Sequence, residues 1–301
     1  MKYDKKVLSF EQQADLLIGR GLIADRDQLI KRLKSTSYYR LSGYLYPSRI
    51  TGTDQLQPDT SLEKVWNHCL FDQRLRTLIL DAIEAIEVFT RTQLAYHFAH
   101  NHGAFEYTTA SSLPNLDQAK FSHWVKRLDD QVQRSLRAKE EFLVHFFKLY
   151  GDEHTRPPIW MQIELMDFGS TLTFYRGVDV SIQQAIAKDL FIPDKVFLSW
   201  LLSLNTVRNR CAHHLRLWDW AMGIKVSLPR ARKYPEWHSP PLSNQNIGVI
   251  LFICRHLLNK ISPHHQWTER VNRHFTDFPN IDLSQMGLPE NWQSHPLWKQ
   301  K

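Results

Sequence analysis

Helical periodicity running nearly from end to end constrains this chain most. Glycine occurs 11 times in 301 residues, and apolar side chains recur at three- and four-residue spacing, which buries one stripe per helix. The clearest case opens at Thr60-Ser61-Leu62-Glu63, where Thr followed by Glu three positions later matches a capping box. The spacing predicts a long helix from there to about His100, with Leu75, Leu78, Ile79, Ala82, Ile83, Ile86 and Phe89 on its buried stripe. Further helices are predicted over 9–20, 25–34, 117–149, 159–175, 181–190, 194–214, 243–261 and 264–275. The segment Tyr38–Tyr44 reads as an aromatic-rich turn, 50–59 as a polar loop and Gly151–Pro158 as a linker. Residues 225–241, rich in Pro and basic side chains, read as a loop holding at most a short strand. An all-α fold is expected, with a helical cap over 1–50, a helical core over 60–220 and a basic loop with C-terminal helices over 221–301, joined in one compact unit.

Composition narrows the function classes. Hydrophobic residues make up 43% and charged residues 23%, enough for a large core in a soluble protein. The net charge of +7 favours polyanionic partners. Cys69, Cys211 and Cys254 lie far apart and form no CxxC pair, so neither a structural zinc site nor a disulfide framework is expected, and a reducing cytoplasm is. Met1–Phe10 is charged and lacks the apolar core of a signal peptide. The longest apolar run, Ile247–Leu258, is interrupted by Arg255 and His256 and falls short of the ~20 residues a membrane helix needs.

The segment richest in chemistry is Arg208-Asn209-Arg210-Cys211-Ala212-His213-His214, at the end of the 194–214 helix. Arginine cannot lose its charge, and histidine titrates near neutrality; the two together suit chemistry at a phosphate. Asn209 and His213 share one helix face, and Arg210 and His214 the neighbouring one. Arg208 stands about 140° around the helix from His213. One helix therefore does not aim both at a single point, whereas two copies packed about a twofold axis would. The spacing equally allows solvated arginines and a histidine at a helix C-terminus, where a cation is favoured. Zinc on Cys211, His213 and His214 is poorly supported, because adjacent histidines diverge and no second ligand cluster exists. There is no G-x-S-x-G, P-loop or G-x-G-x-x-G.

Other groups admit two readings each. Tyr38, Tyr39, Arg40 and Tyr44 either stack on single-stranded RNA or pack at a helix junction. Glu84, Glu87 and Arg91 offer paired carboxylates, but a buried Glu87–Arg91 ion pair is the simpler expectation, and Arg74 and Arg76 near Asp72 read the same way. Lys225, Arg230, Arg232 and Lys233, interleaved with Tyr234 and Trp237, suit either an RNA backbone or solvent. His97, His100 and His102 fit a helix C-terminus.

Several segments together resemble the Abi-like (abortive infection) family. They are Ser9–Gln13 with Arg20-Gly21-Leu22, the YYRLSGY run at 38–44, Phe71–Arg76, Ala82–Glu87 with Arg91, Trp160-Met161, Phe168-Gly169-Ser170, the run RNRCAHHLRLW from Arg208, and Leu288–Trp292. The likeness spans about 9–295, and Arg208-x4-His213 is similar to the R-x4-6-H signature of HEPN ribonucleases. The resemblance implies a HEPN-like helical bundle and a metal-independent endoribonuclease of phage defence that uses no cofactor. It gives His213 the role of general base or acid, Arg208 that of stabilising the phosphorane, and Asn209 that of orienting either. His214 and Arg216 would support the same groove, and Arg210, Tyr39, Arg40, Lys225, Arg230, Arg232 and Lys233 would hold RNA. A homodimer, a small-RNA or protein regulator and no membrane association are expected with it. Asp219 departs from the family pattern, which often has Asn after Leu-Trp. Two rival functions are a non-catalytic RNA-binding module and a helical toxin with a protein target.

Overall fold

A computed structural model describes residues 6–299; Met1–Lys5 of the expected N-terminal cap and the last two residues of the C-terminal extension lie outside the described residues. The chain opens with α1 (Phe10–Gly19), α2 (Arg26–Thr36) and α3 (Tyr38–Leu45). Polar caps start them: Ser9 and Gln12 close a reciprocal capping box, and Asp25 accepts the Gln28 amide at 2.8 Å. The segment read as an aromatic turn is the helix α3. Gly43 does not break it, because Leu41, Tyr44 and Leu45 are buried on one side, and tertiary burial outweighs a weak helix propensity.

The long helix α4 (Leu62–His102) has 41 residues and spans roughly 60 Å. Its cap differs from the expected box. Ser61 is the N-cap and accepts the Lys64 amide at 3.2 Å, while the Thr60 hydroxyl donates to the Gln57 carbonyl. The helix stops at Gly103, whose φ of +101° suits glycine. Leu75, Leu78, Ile79, Ala82, Ile83 and Ile86 are buried as expected, and Phe89 is partly so. Phe71 and Leu94 are buried too, because α4 is surrounded rather than laid on a surface.

The expected helix over 117–149 is two, α5 (Gln118–Ala138) and α6 (Glu141–Tyr150). Lys139 takes a left-handed conformation between them, and the amides of Lys139 and Glu140 bond back to the carbonyls of Leu136 and Ser135. The 159–175 helix also divides, into α7 (Ile159–Gln162), a 3₁₀ turn and α8 (Phe168–Gly177). Asp167 caps α8 by accepting the Ser170 amide at 2.7 Å. Then come α9 (Val180–Asp189), α10 (Asp194–Ala212), α11 (Ile247–Ile261) and α12 (Trp267–Asp277). Among the described residues the 225–241 tract holds no strand; the Met222 and Val226 amides bond to the carbonyls of Gln245 and Asn244 without extending into a ladder.

Helix α4 is the axis of the bundle, packed by α3 and by α7 through α12. Its Leu78 carbonyl accepts the indole N–H of Trp267 from α12 at 2.7 Å. One apolar cluster runs from Leu17 and Leu29 through Ile79 and Phe252 to Trp298, so the three expected segments share a core. Each such aliphatic or aromatic side chain contributes about 1.5–3 kcal/mol on burial. Among the described residues no single helix is long and apolar enough to cross a membrane.

Candidate functional site

Helix α10 turns Phe197, Trp200, Leu201, Leu204, Val207 and Cys211 inward, which leaves Arg208 half-buried and Asn209 exposed. Its last turn ends in a reciprocal pair of backbone bonds. The His214 amide donates to the Cys211 carbonyl and the Leu215 amide to the Arg210 carbonyl, both at 2.9 Å. His213 is the C-cap, its amide held by the Asn209 carbonyl, and His214 takes φ +56° where glycine is usual. The expected shared face of Arg210 and His214 is therefore lost, because the helix ends between them. Asn209 and His213 keep their i,i+4 relation. Both imidazoles are exposed at the helix C-terminus.

Left-handed backbone costs a non-glycine residue about 1–2 kcal/mol, and the chain beyond His214 is fastened at every residue to Trp218. Arg40 of α3 donates to the His214 carbonyl. Arg76 donates to the Leu215 carbonyl at 3.3 Å, and Arg210 Nε to the Arg216 carbonyl at 2.7 Å. The amides of Leu217 and Trp218 both donate to Asp72 at 3.0 Å. Asp72 is wholly buried on α4, and it also accepts from Arg76 at 2.6 Å and from the Tyr44 hydroxyl at 2.8 Å. Burial pushes its carboxyl up, and the Arg76 charge is the largest influence pulling it back.

This fastening reassigns several side chains. Tyr44, weighed as an RNA-stacking residue, is buried with its hydroxyl spent on Asp72. Tyr38 accepts from Arg20 at 2.8 Å, whereas Tyr39 is 89% exposed. Arg210 lies 4.3 Å over the Trp220 ring. Arg216 donates to the Gly43 carbonyl and pairs with Asp219 at 2.6 Å, so Asp219 is turned onto a cation of its own loop. Sequence reasoning had Asp72 and Arg76 as an ion pair. It missed that this pair anchors the segment behind His213, a contact across 145 residues that no local spacing signals.

Arg208 faces α4. Its Nη1 reaches Asn209 Oδ1 at 3.4 Å, and its charge acts on Glu87. Glu87 pairs with Arg91, which also donates to the Met166 carbonyl. Burial raises the Glu87 carboxyl, opposed first by Arg91 and then by Arg208. Among the described residues no hydrogen bond joins Arg208 to His213. Cys211 is 1% exposed, and burial pushes its thiol up to about 12. It points into the core while His213 and His214 lie outside, so the three do not gather as metal ligands. Lys225, Arg230, Arg232 and Lys233 are all exposed, on a tract tied to α10 through the Trp200 indole and the Ser227 carbonyl at 2.8 Å.

Three sequence regions thus meet at one carboxylate: the aromatic run of α3, the Asp72–Arg76 turn of α4 and the Arg208–Trp218 segment. A family model described as Abi-like protein matches residues 31–219, and all three regions fall inside it. The chain belongs to the Abi-like family. The Abi-like segment begins within α2 and closes at Asp219, which is shorter than the 9–295 span expected from motifs; the segments at 9–22 and 288–292 lie outside it. It includes the Asp72 anchor and excludes α11, α12 and the basic tract. Comparisons with curated proteins and with solved structures returned no match.

Proposed function

We propose that the chain is a metal-independent HEPN-type endoribonuclease of abortive-infection defence, with Arg208, Asn209 and His213 as its reacting set. The observation that carries this reading is the contrast within one segment. The Arg210 and Arg216 side chains and the Leu217 and Trp218 amides bond inside the chain, while the imidazoles of His213 and His214 stand exposed at the end of α10. His213 takes the proton from a ribose 2′-OH as its oxygen attacks phosphorus. The P–O5′ bond then breaks, the 5′-oxygen takes its proton from the protonated imidazole, and a 2′,3′-cyclic phosphate remains. Arg208 stabilises the charge on the phosphorane. A placed histidine is worth roughly 10²–10⁴-fold, and a positioned charge a similar factor.

Arg208 and His213 of one helix do not meet, so the reading includes a homodimer in which two α10 ends face each other across a twofold axis. His214 is the reserve imidazole. Tyr39 and the exposed cations Lys225, Arg230, Arg232 and Lys233 are the RNA contacts. Cytoplasmic action and control by a small RNA or protein regulator complete the proposal.

The test is incubation of wild type, Arg208→Ala and His213→Ala with single-stranded RNA in EDTA, followed by analysis of product ends. Cleavage to cyclic phosphates by wild type, abolished in both variants with unchanged circular dichroism, is the expected outcome. Wild-type rates in both variants would overturn the assignment. A salt-dependent gel shift without products would mark a non-catalytic RNA binder, and no RNA affinity at low salt would mark a toxin with a protein target.

A further inference from the structure

A groove of about 330 Å³ lies between α5 and α8, outside the set of residues just assigned. Trp124 is a fixed part of its wall: it is 1% exposed, its indole N–H donates to the Ser170 carbonyl at 3.1 Å, and its ring stacks on Phe174. Leu116 is brought close by Gly177, where a Cβ would meet the Leu116 side chain at 2.9 Å. The rim carries Lys120, His123, Arg127 and Arg176, and no carboxylate lines the groove among the described residues. Lys120 and Arg127 are paired outside it with Asp117 and Asp167. Arg176 and His123 are exposed and make no side-chain hydrogen bond or ion pair among the described residues.

Asp167, which caps α8, is held by Arg127 of the groove rim at 2.6 Å. An apolar wall beneath a cationic rim matches a base joined to a phosphate. The volume is near the lower end of small-ligand pockets, as one nucleotide requires.

We propose that the α5–α8 groove is a nucleotide subsite that seats one unpaired nucleotide of single-stranded RNA, its phosphate on Arg176 and His123 and its base against Leu116 and Ala119. The inference rests on the ribonuclease reading and adds where the strand runs. Its test is fluorescence anisotropy of labelled single-stranded oligouridine, in a His213→Ala background so that the probe stays whole. Arg176→Gln should weaken binding about 10-fold and flatten the salt slope by about 0.7, one phosphate contact on a single strand. Ala119→Trp, at an exposed lining position, should weaken binding about 10-fold by filling the groove and leave the salt slope unchanged. Thermal melting checks that both variants fold; either alone carries the test if the other does not. Affinities within twofold of the parent, with RNA still bound, overturn this subsite and leave the ribonuclease reading standing. No RNA binding or cleavage by the wild type overturns both. If the variants instead weaken a labelled poly-glutamate peptide and leave RNA untouched, the groove belongs to an acidic protein segment and the proposal fails.

Discussion

Asp72 illustrates how much one side chain decides. Its carboxylate satisfies two backbone amides, one arginine and one tyrosine in a place water does not reach. Removing one member of such a set leaves a buried charge uncompensated, at a cost of 3–5 kcal/mol. Asp72→Ala should therefore lower unfolding free energy in urea by about 4 kcal/mol, and limited proteolysis should open first near 213–218. A second residue-level expectation concerns His274, which is 4% exposed and stacks on Phe71 at 4.5 Å. Burial, aided by the nearby Arg74 charge, depresses its imidazole from 6.5 to about 4. The unfolded chain thus binds this proton before the folded one does. Stability is full above 6.5 and falls as pH drops towards about 4, by on the order of 3 kcal/mol. His274→Phe should flatten that part of the pH profile of the urea midpoint; an unchanged slope would assign the acid sensitivity elsewhere.

At the scale of elements, the ends of helices carry the strain. Lys139, between α5 and α6, holds φ +59° and ψ +41°. Glycine has no Cβ to clash there, so Lys139→Gly should raise the melting free energy by about 1 kcal/mol. A loss of stability would show that Lys139 makes a contact outweighing its backbone cost. Ser61→Ala should cost α4 about 1 kcal/mol, whereas Thr60→Ala should leave the helix start in place, because the cap is one residue later than the Thr-x-x-Glu pattern suggests.

The whole molecule raises the question of how many copies make one site. If Arg208 and His213 act across a twofold axis, mixing the inactive Arg208→Ala and His213→Ala variants rebuilds one intact site in each mixed dimer. About a quarter of wild-type cleavage should return after random exchange of subunits. No recovery, with mixed dimers verified by mass spectrometry, would place both groups in one chain's site.

Local pattern was enough to read the helices of the core, the buried face of α4 and the place of the Arg208–His213 segment at the end of α10, because each depends on side chains within a turn or two. The family was legible for a related reason: the aromatic run of α3, Asp72–Arg76 and the Arg208–Trp218 segment are contiguous strings. The same strings did not disclose their purpose. Lys139 breaks a helix with neither Gly nor Pro to mark it, and Asp167 caps one inside a run that looked continuous. Tyr44 and Arg40, open in the sequence to RNA stacking or to packing at a helix junction, bond to Asp72 and to the His214 carbonyl in the fold. The groove between α5 and α8 arises only when Leu116, Trp124 and Arg176 come together. Periodicity within 301 residues determined which segments are helical and which face of each is apolar. Only the packed chain decided which polar groups are spent inside it and which stay open to solvent, because a hydrogen bond across 145 residues leaves no trace in local spacing.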